Sequence, residues 1–181
     1  ASTRVGDEAT AAGIAGWLLE VLRLPSGAFA SAQDSESLVD GQRSEGGYYR
    51  LDAAARARQP RPALDEKVLT GLNGMVIGAL ADAGLRFARP EWVDAAASAA
   101  DAVLALHGEG PELARASLGG RRSSAPATLE DLGGLAGGLL RLALATGSVR
   151  YATIARTLVE ACRTPGGGIA GFAEYAIEPA S

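Results

Sequence analysis

The stretch LNGMVIGALADAG at residues 72–84 returns sixty positions later as LGGLAGGLLRLAL at 132–144. With that shift Leu72 falls on Leu132, Gly74 on Gly134, Gly78 on Gly138 and Leu80 on Leu140. The segments that follow match at an offset of 59, which puts Trp92 and Ala96 on Tyr151 and Ala155. A fixed period of this size marks a repeated supersecondary unit that buries its apolar face against its neighbours. Val68, Leu72, Met75, Val76, Ala79 and Leu80 recur at helical spacing, so the first copy predicts a helix over about 67–86. By the same criterion helices are expected over about 91–107, 128–146 and 149–163. The expectation is two repeated helical hairpins, 67–107 and 128–163, built on an all-α plan. Glycine inside a helix costs about 0.5–1 kcal/mol relative to alanine, yet Gly133, Gly134, Gly137 and Gly138 crowd into barely two turns. Close helix packing has to offset that sum, so the helix carrying them is expected on the inside of an α/α toroid. The period, multiplied by the six hairpins of such a ring, exceeds the 181 residues present. The chain is therefore expected as a single toroid domain or fragment, 1–181, and Ala1 in place of methionine reads as an excised piece.

Outside the repeat, Ile14, Trp17, Leu18, Val21 and Leu22 predict a helix over 8–24, stopped by Pro25-Ser26-Gly27. Residues 25–62 change character, with serine, glycine and acids around Phe29, Tyr48 and Tyr49. This segment reads as a long loop insertion with short strand pieces at 28–31 and 47–50, and ordered loops of such length are often functional. A formal charge of −4 and an aromatic share of 5% lack the basic stripe and stacking platforms of a nucleic-acid binder. No apolar run reaches transmembrane length, so no membrane partner is expected. The single cysteine, Cys162, excludes an internal disulfide framework and points to a reducing, cytoplasmic setting.

The candidate chemistry lies in adjacent carboxylates. Asp65 and Glu66 open the segment LDEKVLTGLNG, and Glu130 and Asp131 open the later helix. Each pair fits helix capping, since carboxylates interact favourably with a helix N-terminus, and Thr128-x-x-Asp131 approximates a capping box. Each pair also fits a general acid and general base at a cavity mouth, where convergence drives carboxylate pKa values apart. Asn73, flanked by Gly71 and Gly74, suggests a polar lumen on the same helix. Asp34 and Glu36, in QDSES, read either as a solvated turn or as substrate contacts over that mouth. His107 stands at a helix end, where a cation suits the C-terminus. A glycine run at 166–168 follows a helix and lacks the lysine and serine of a phosphate loop, so it reads as a helix stop. No metal site and no cofactor are expected, because one histidine cannot complete a transition-metal set and no EF-hand spacing occurs.

Four stretches occur together: GAFASAQDSES with EGGYY, RPALDEKVLTGLNGMVIGALADAG, the Trp92 helix, and ATLEDLGGLAGGLLRLALATG. Over about residues 10–160 the chain resembles the helical domain of the thioredoxin-domain-containing, spermatogenesis-associated protein family. The resemblance implies an (α/α)6 toroid similar to N-acylglucosamine 2-epimerases and six-hairpin glycosidases. It further implies an accompanying thioredoxin-like domain, absent from this chain, and a carbohydrate-like small molecule as ligand. On the matching motifs it assigns Asp65, Glu66, Glu130 and Asp131 as catalytic candidates and Asp34, Glu36, Lys67 and Asn73 as substrate contacts. Leu72 and Leu132 depart from the family's aromatic residues, which removes ring surface of the kind that stacks on sugars. The implied activity is binding or processing of that ligand by paired carboxylates, and the alternative is a non-catalytic scaffold.

Overall fold

The computed structural model describes residues 2–163, with side-chain environments from Glu8 onward. The glycine run at 166–168 lies outside the described residues. Helix α1 (Ser2–Trp17) passes into a π-helical turn, Leu18–Leu22, that ends the first helical segment. Then come β1 (Ala32–Gln33), β2 (Glu36–Val39), β3 (Gln42–Glu45), α2 (Gly47–Arg50), α3 (Ala53–Arg56), β4 (Leu64–Asp65) and β5 (Val68–Leu69). The remainder is α4 (Thr70–Arg86), α5 (Pro90–His107), β6 (Ala116–Leu118), β7 (Arg121–Arg122), α6 (Leu129–Thr146) and α7 (Val149–Ala161).

Seven α-helices thus share the described residues with three small antiparallel sheets, β1–β4, β2–β3 and β5–β6–β7. This mixed α/β arrangement overturns the all-α toroid expected from the repeat. The reason is local turn chemistry that helical periodicity does not register. Asp40 and Gly41, both at positive φ, close the β2–β3 hairpin with Val39 opposite Gln42, as an Asp-Gly turn of matching twist does. Gly119 and Gly120, also at positive φ, close β6–β7 with Leu118 opposite Arg121. The segment expected as a strand at 47–50 is instead the single helical turn α2, entered through Gly46 in the left-handed region.

The helices pack around one core. The N-terminus of α4 meets the C-terminus of α5 where Thr70 touches His107, so these two run antiparallel. Helices α4 and α6 run parallel and approach so closely that their glycines interlock. A Cβ placed on Gly74 would overlap the backbone of Gly134, and one on Gly138 would overlap the backbone of Gly74. The glycines that coincide under the sixty-residue shift are therefore the ones that touch. Gly133 and Gly137 are not used this way: they open onto a groove of about 430 Å³ between α6 and α7. Ile77, Leu135, Leu139, Leu142 and Leu158 are fully buried around this contact, and Trp92 with Ala96 and Ala99 seals α5 against it. Each such aliphatic side chain contributes roughly 1.5–3 kcal/mol on burial, which offsets the glycine cost. The shift does not carry burial with it everywhere, since Leu80 is buried while Leu140 is exposed.

Candidate ligand-binding site

The four catalytic candidates divide into two unlike pairs. Asp65 does not start a helix; it lies in β4 opposite Ala32, and α4 begins five residues later. Its main-chain oxygen accepts from the Ser31 amide at 3.0 Å and from the Ser31 hydroxyl at 3.2 Å. Its half-exposed carboxylate sits 3.0 Å from Lys67 Nζ. The Lys67 hydrogen bond above all holds the Asp65 pKa below the ordinary carboxylate range. Glu66 and Glu130 are exposed. Asp131, 5% exposed, is the buried member.

Asp131 completes the capping box that Thr128-x-x-Asp131 suggests: Oδ2 accepts from the Thr128 amide at 2.9 Å and from its hydroxyl at 3.0 Å. Its Oδ1 accepts from the Gly71 amide at 3.0 Å, so one carboxylate caps α6 and also the first turn of α4. That second role answers the absence of a side-chain cap on α4's own N-terminus. The two pairs are held by different partners, Asp65 by Lys67 and Asp131 by the Thr128 and Gly71 amides.

Asn73 is 1% exposed, and its amide is bonded to backbone. Oδ1 accepts from the Phe29 amide at 2.8 Å, while Nδ2 donates to Phe29 O and Leu69 O, each at 3.0 Å. It clamps the start of the 25–62 segment to α4 and faces no lumen. Asp34 makes an Asx-type contact, Oδ1 accepting from the Glu36 amide at 3.0 Å, and Glu36 pairs with Arg43 across the β2–β3 hairpin. These two line a shallow concavity of about 220 Å³.

His107 is no exposed cation at a helix end; it is fully buried. The Thr70 hydroxyl donates to Ala114 O at 2.7 Å, so it accepts from His107 Nδ1 at 2.6 Å. Nε2 is then unprotonated and accepts from Ser117 Oγ at 2.8 Å. Burial, reinforced by the Arg122 charge, pushes the His107 pKa down. The neutral imidazole joins α4, α5 and β6. Cys162 is buried with its thiol pushed up by desolvation and donating to Leu158 O at 3.3 Å.

The feature that sequence reasoning missed is a cleft of about 710 Å³ between the first helical segment and the 25–62 insertion. Trp17, 45% exposed, forms one wall where α1 gives way to the π-helical turn, and Glu20 projects from that turn. Turns of this kind recur at functional sites. Tyr48 and Tyr49, edge to face at 5.4 Å between ring centroids, form another wall. The Tyr49 hydroxyl donates to Asp34 O at 2.7 Å, and desolvation pushes its pKa up, so the phenol stays protonated. Gln33, Gln59, Arg56 and Arg61 supply the polar lining. The signal available in the sequence was a tryptophan in the first helix together with two tyrosines in a polar loop. Its assembly from three separate segments hid it. None of the eight predicted site residues lines this cleft.

Neither the family models nor the curated proteins contain a match to the chain. Among the described residues no cluster of three or more histidine, cysteine or acidic side chains is placed to hold a metal ion, and no helix is long and apolar enough to cross a membrane.

Proposed function

We propose that this chain binds a carbohydrate-like small molecule, without transforming it, in the cleft walled by Trp17, Tyr48 and Tyr49. The observation that carries the reading is the composition of that cleft: three aromatic side chains beside Gln33, Gln59 and Glu20 in a cavity of about 710 Å³. Concave sites of roughly 300–1,000 Å³ with a few convergent polar groups are the usual form of small-molecule sites. Ring faces cover the C–H surface of a pyranose, while amides and a carboxylate bond its hydroxyls. Glycoside hydrolysis needs two carboxyl groups flanking one bond. Glu20 is the one carboxylate among the lining residues, which supports binding over catalysis. The motif resemblance to the thioredoxin-domain-containing, spermatogenesis-associated family supports the same ligand class and a thioredoxin-like module as partner.

Titration of the protein with glucose, maltose and other mono- and disaccharides, read by tryptophan fluorescence and calorimetry, tests this. Trp17→Ala is expected to weaken binding about tenfold or more, the equivalent of 1.4 kcal/mol, while Asp65→Asn with Glu66→Gln leaves it unchanged. Loss of binding in the acid variant with Trp17→Ala unaffected would return the site to the paired carboxylates. A second reading, a scaffold that docks a protein, draws support from the groove between α6 and α7, where Leu140 and Val159 are exposed. It predicts no saccharide binding at all.

A further inference from the structure

Two arginines and one carboxylate, Glu20, line the cleft, so its described lining carries an excess of positive charge. Arg56 and Arg61 both line the cavity, and among the described residues neither guanidinium has a carboxylate within ion-pair distance or donates a side-chain hydrogen bond. This contrasts with Arg43, Arg89, Arg141 and Arg150, each of which sits on an aspartate or glutamate. The chain has more acids than bases, with a net charge of −4, so a concavity lined by two arginines against one carboxylate, Glu20, runs against its overall balance.

Both arginines are also held in place through their backbones. Asp52 caps α3 by accepting from the Ala55 amide at 2.8 Å, which fixes the short turn that carries Arg56. Arg61 lies between Pro60 and Pro62. Next to it, Ala63 O accepts from the Asp34 amide at 2.8 Å and Gln59 is bonded to Asp40 at 2.6 Å, which tie both flanks to the β2–β3 hairpin region. The anchored backbone limits where the two side chains can reach, and each guanidinium offers a planar fork that matches an oxyanion in two-point contact.

We infer that the ligand is an acidic sugar: its ring lies against Trp17 and the tyrosines, and its carboxylate or phosphate is held by Arg56 and Arg61. The inference rests on the carbohydrate reading and adds to it the ligand's charge. The partly enclosed, aromatic-walled setting lowers the local dielectric, so a contact made there is screened less than one on open surface.

The test compares glucose, glucuronic acid and glucose 6-phosphate on the intact chain, with inorganic phosphate as control. At low ionic strength one of the two acidic sugars is expected to bind at least tenfold more tightly than glucose. Which of the two does so identifies the oxyanion, and the advantage is expected to shrink in 0.3 M salt, where the screening length falls to roughly 6 Å. Arg56→Gln with Arg61→Gln is expected to abolish the advantage, so that the acidic sugars bind the variant no more tightly than glucose does. If glucose binds, is lost in Trp17→Ala, and the acidic sugars gain nothing, the charge inference is overturned and the carbohydrate reading stands. If no sugar binds, or inorganic phosphate binds as well as glucose 6-phosphate, both are overturned.

Discussion

The α4–α6 contact and the 25–62 insertion treat polar side chains in opposite ways. Around the helices, Asp131, Asn73, Thr70 and His107 are buried, and every one is bonded to backbone or to another buried group. In the insertion and the cleft beside it, Arg56 and Arg61 line a cavity and make no ion pair among the described residues. A buried polar group without its hydrogen bond costs about 1–3 kcal/mol, so full bonding is the signature of a residue that holds the fold together. A polar residue kept ready but unbonded at a cavity wall is available to something else. By that criterion Asp131 is structural, and the proposed site draws on arginines that look incidental in the sequence.

Three experiments press on this contrast. The largest effect is expected where the helices interlock: Gly138→Val drives a branched side chain into the Gly74 backbone and should destabilise the fold by about 3 kcal/mol, read from the denaturant midpoint. Retention of wild-type stability would mean that α4 and α6 are not in close contact. Next, Asp131→Ala removes a cap shared by two helices and leaves the Gly71 and Thr128 amides without acceptors. A loss of about 2 kcal/mol is expected. An effect on ligand binding without that loss would place Asp131 in the site after all. The smallest effect is graded by pH. Because burial depresses the folded pKa of His107, the unfolded chain takes up the proton first, and stability present above pH about 6.5 should fall as the pH drops below it. The loss should level off once the pH passes the folded value. Urea melts between pH 8 and pH 5 report it, and His107→Gln should flatten this part of the profile.

The helices were legible because their signal is local. Apolar spacing placed α4 through α7 to within a few residues, and the glycine coincidence at sixty residues pointed to the pairs that touch. The Asp40-Gly41 turn lies in the segment that its polar composition marks as loop, and the Gly119-Gly120 turn falls between the two helical repeats, where helical periodicity carries no signal. The start of α4 was not legible: Asp65 and Glu66 look like caps, yet Val68 pairs with Ser117, forty-nine positions away, and that pairing makes the segment extended. Such non-local partners override a capping pattern, and no window of the sequence contains both. The cleft escaped for the same reason, since Trp17, Tyr48 and Arg61 are each unremarkable alone.

One amide has a consequence for how this protein can vary. By gripping both the donor and the acceptor of Phe29, Asn73 substitutes for a neighbouring strand and fixes the point where the chain leaves the helical body. Everything between that anchor and the re-entry at β4 is free to change its length and chemistry without asking the interior to rearrange, which makes residues 34–62 an exchangeable cassette mounted on a constant frame.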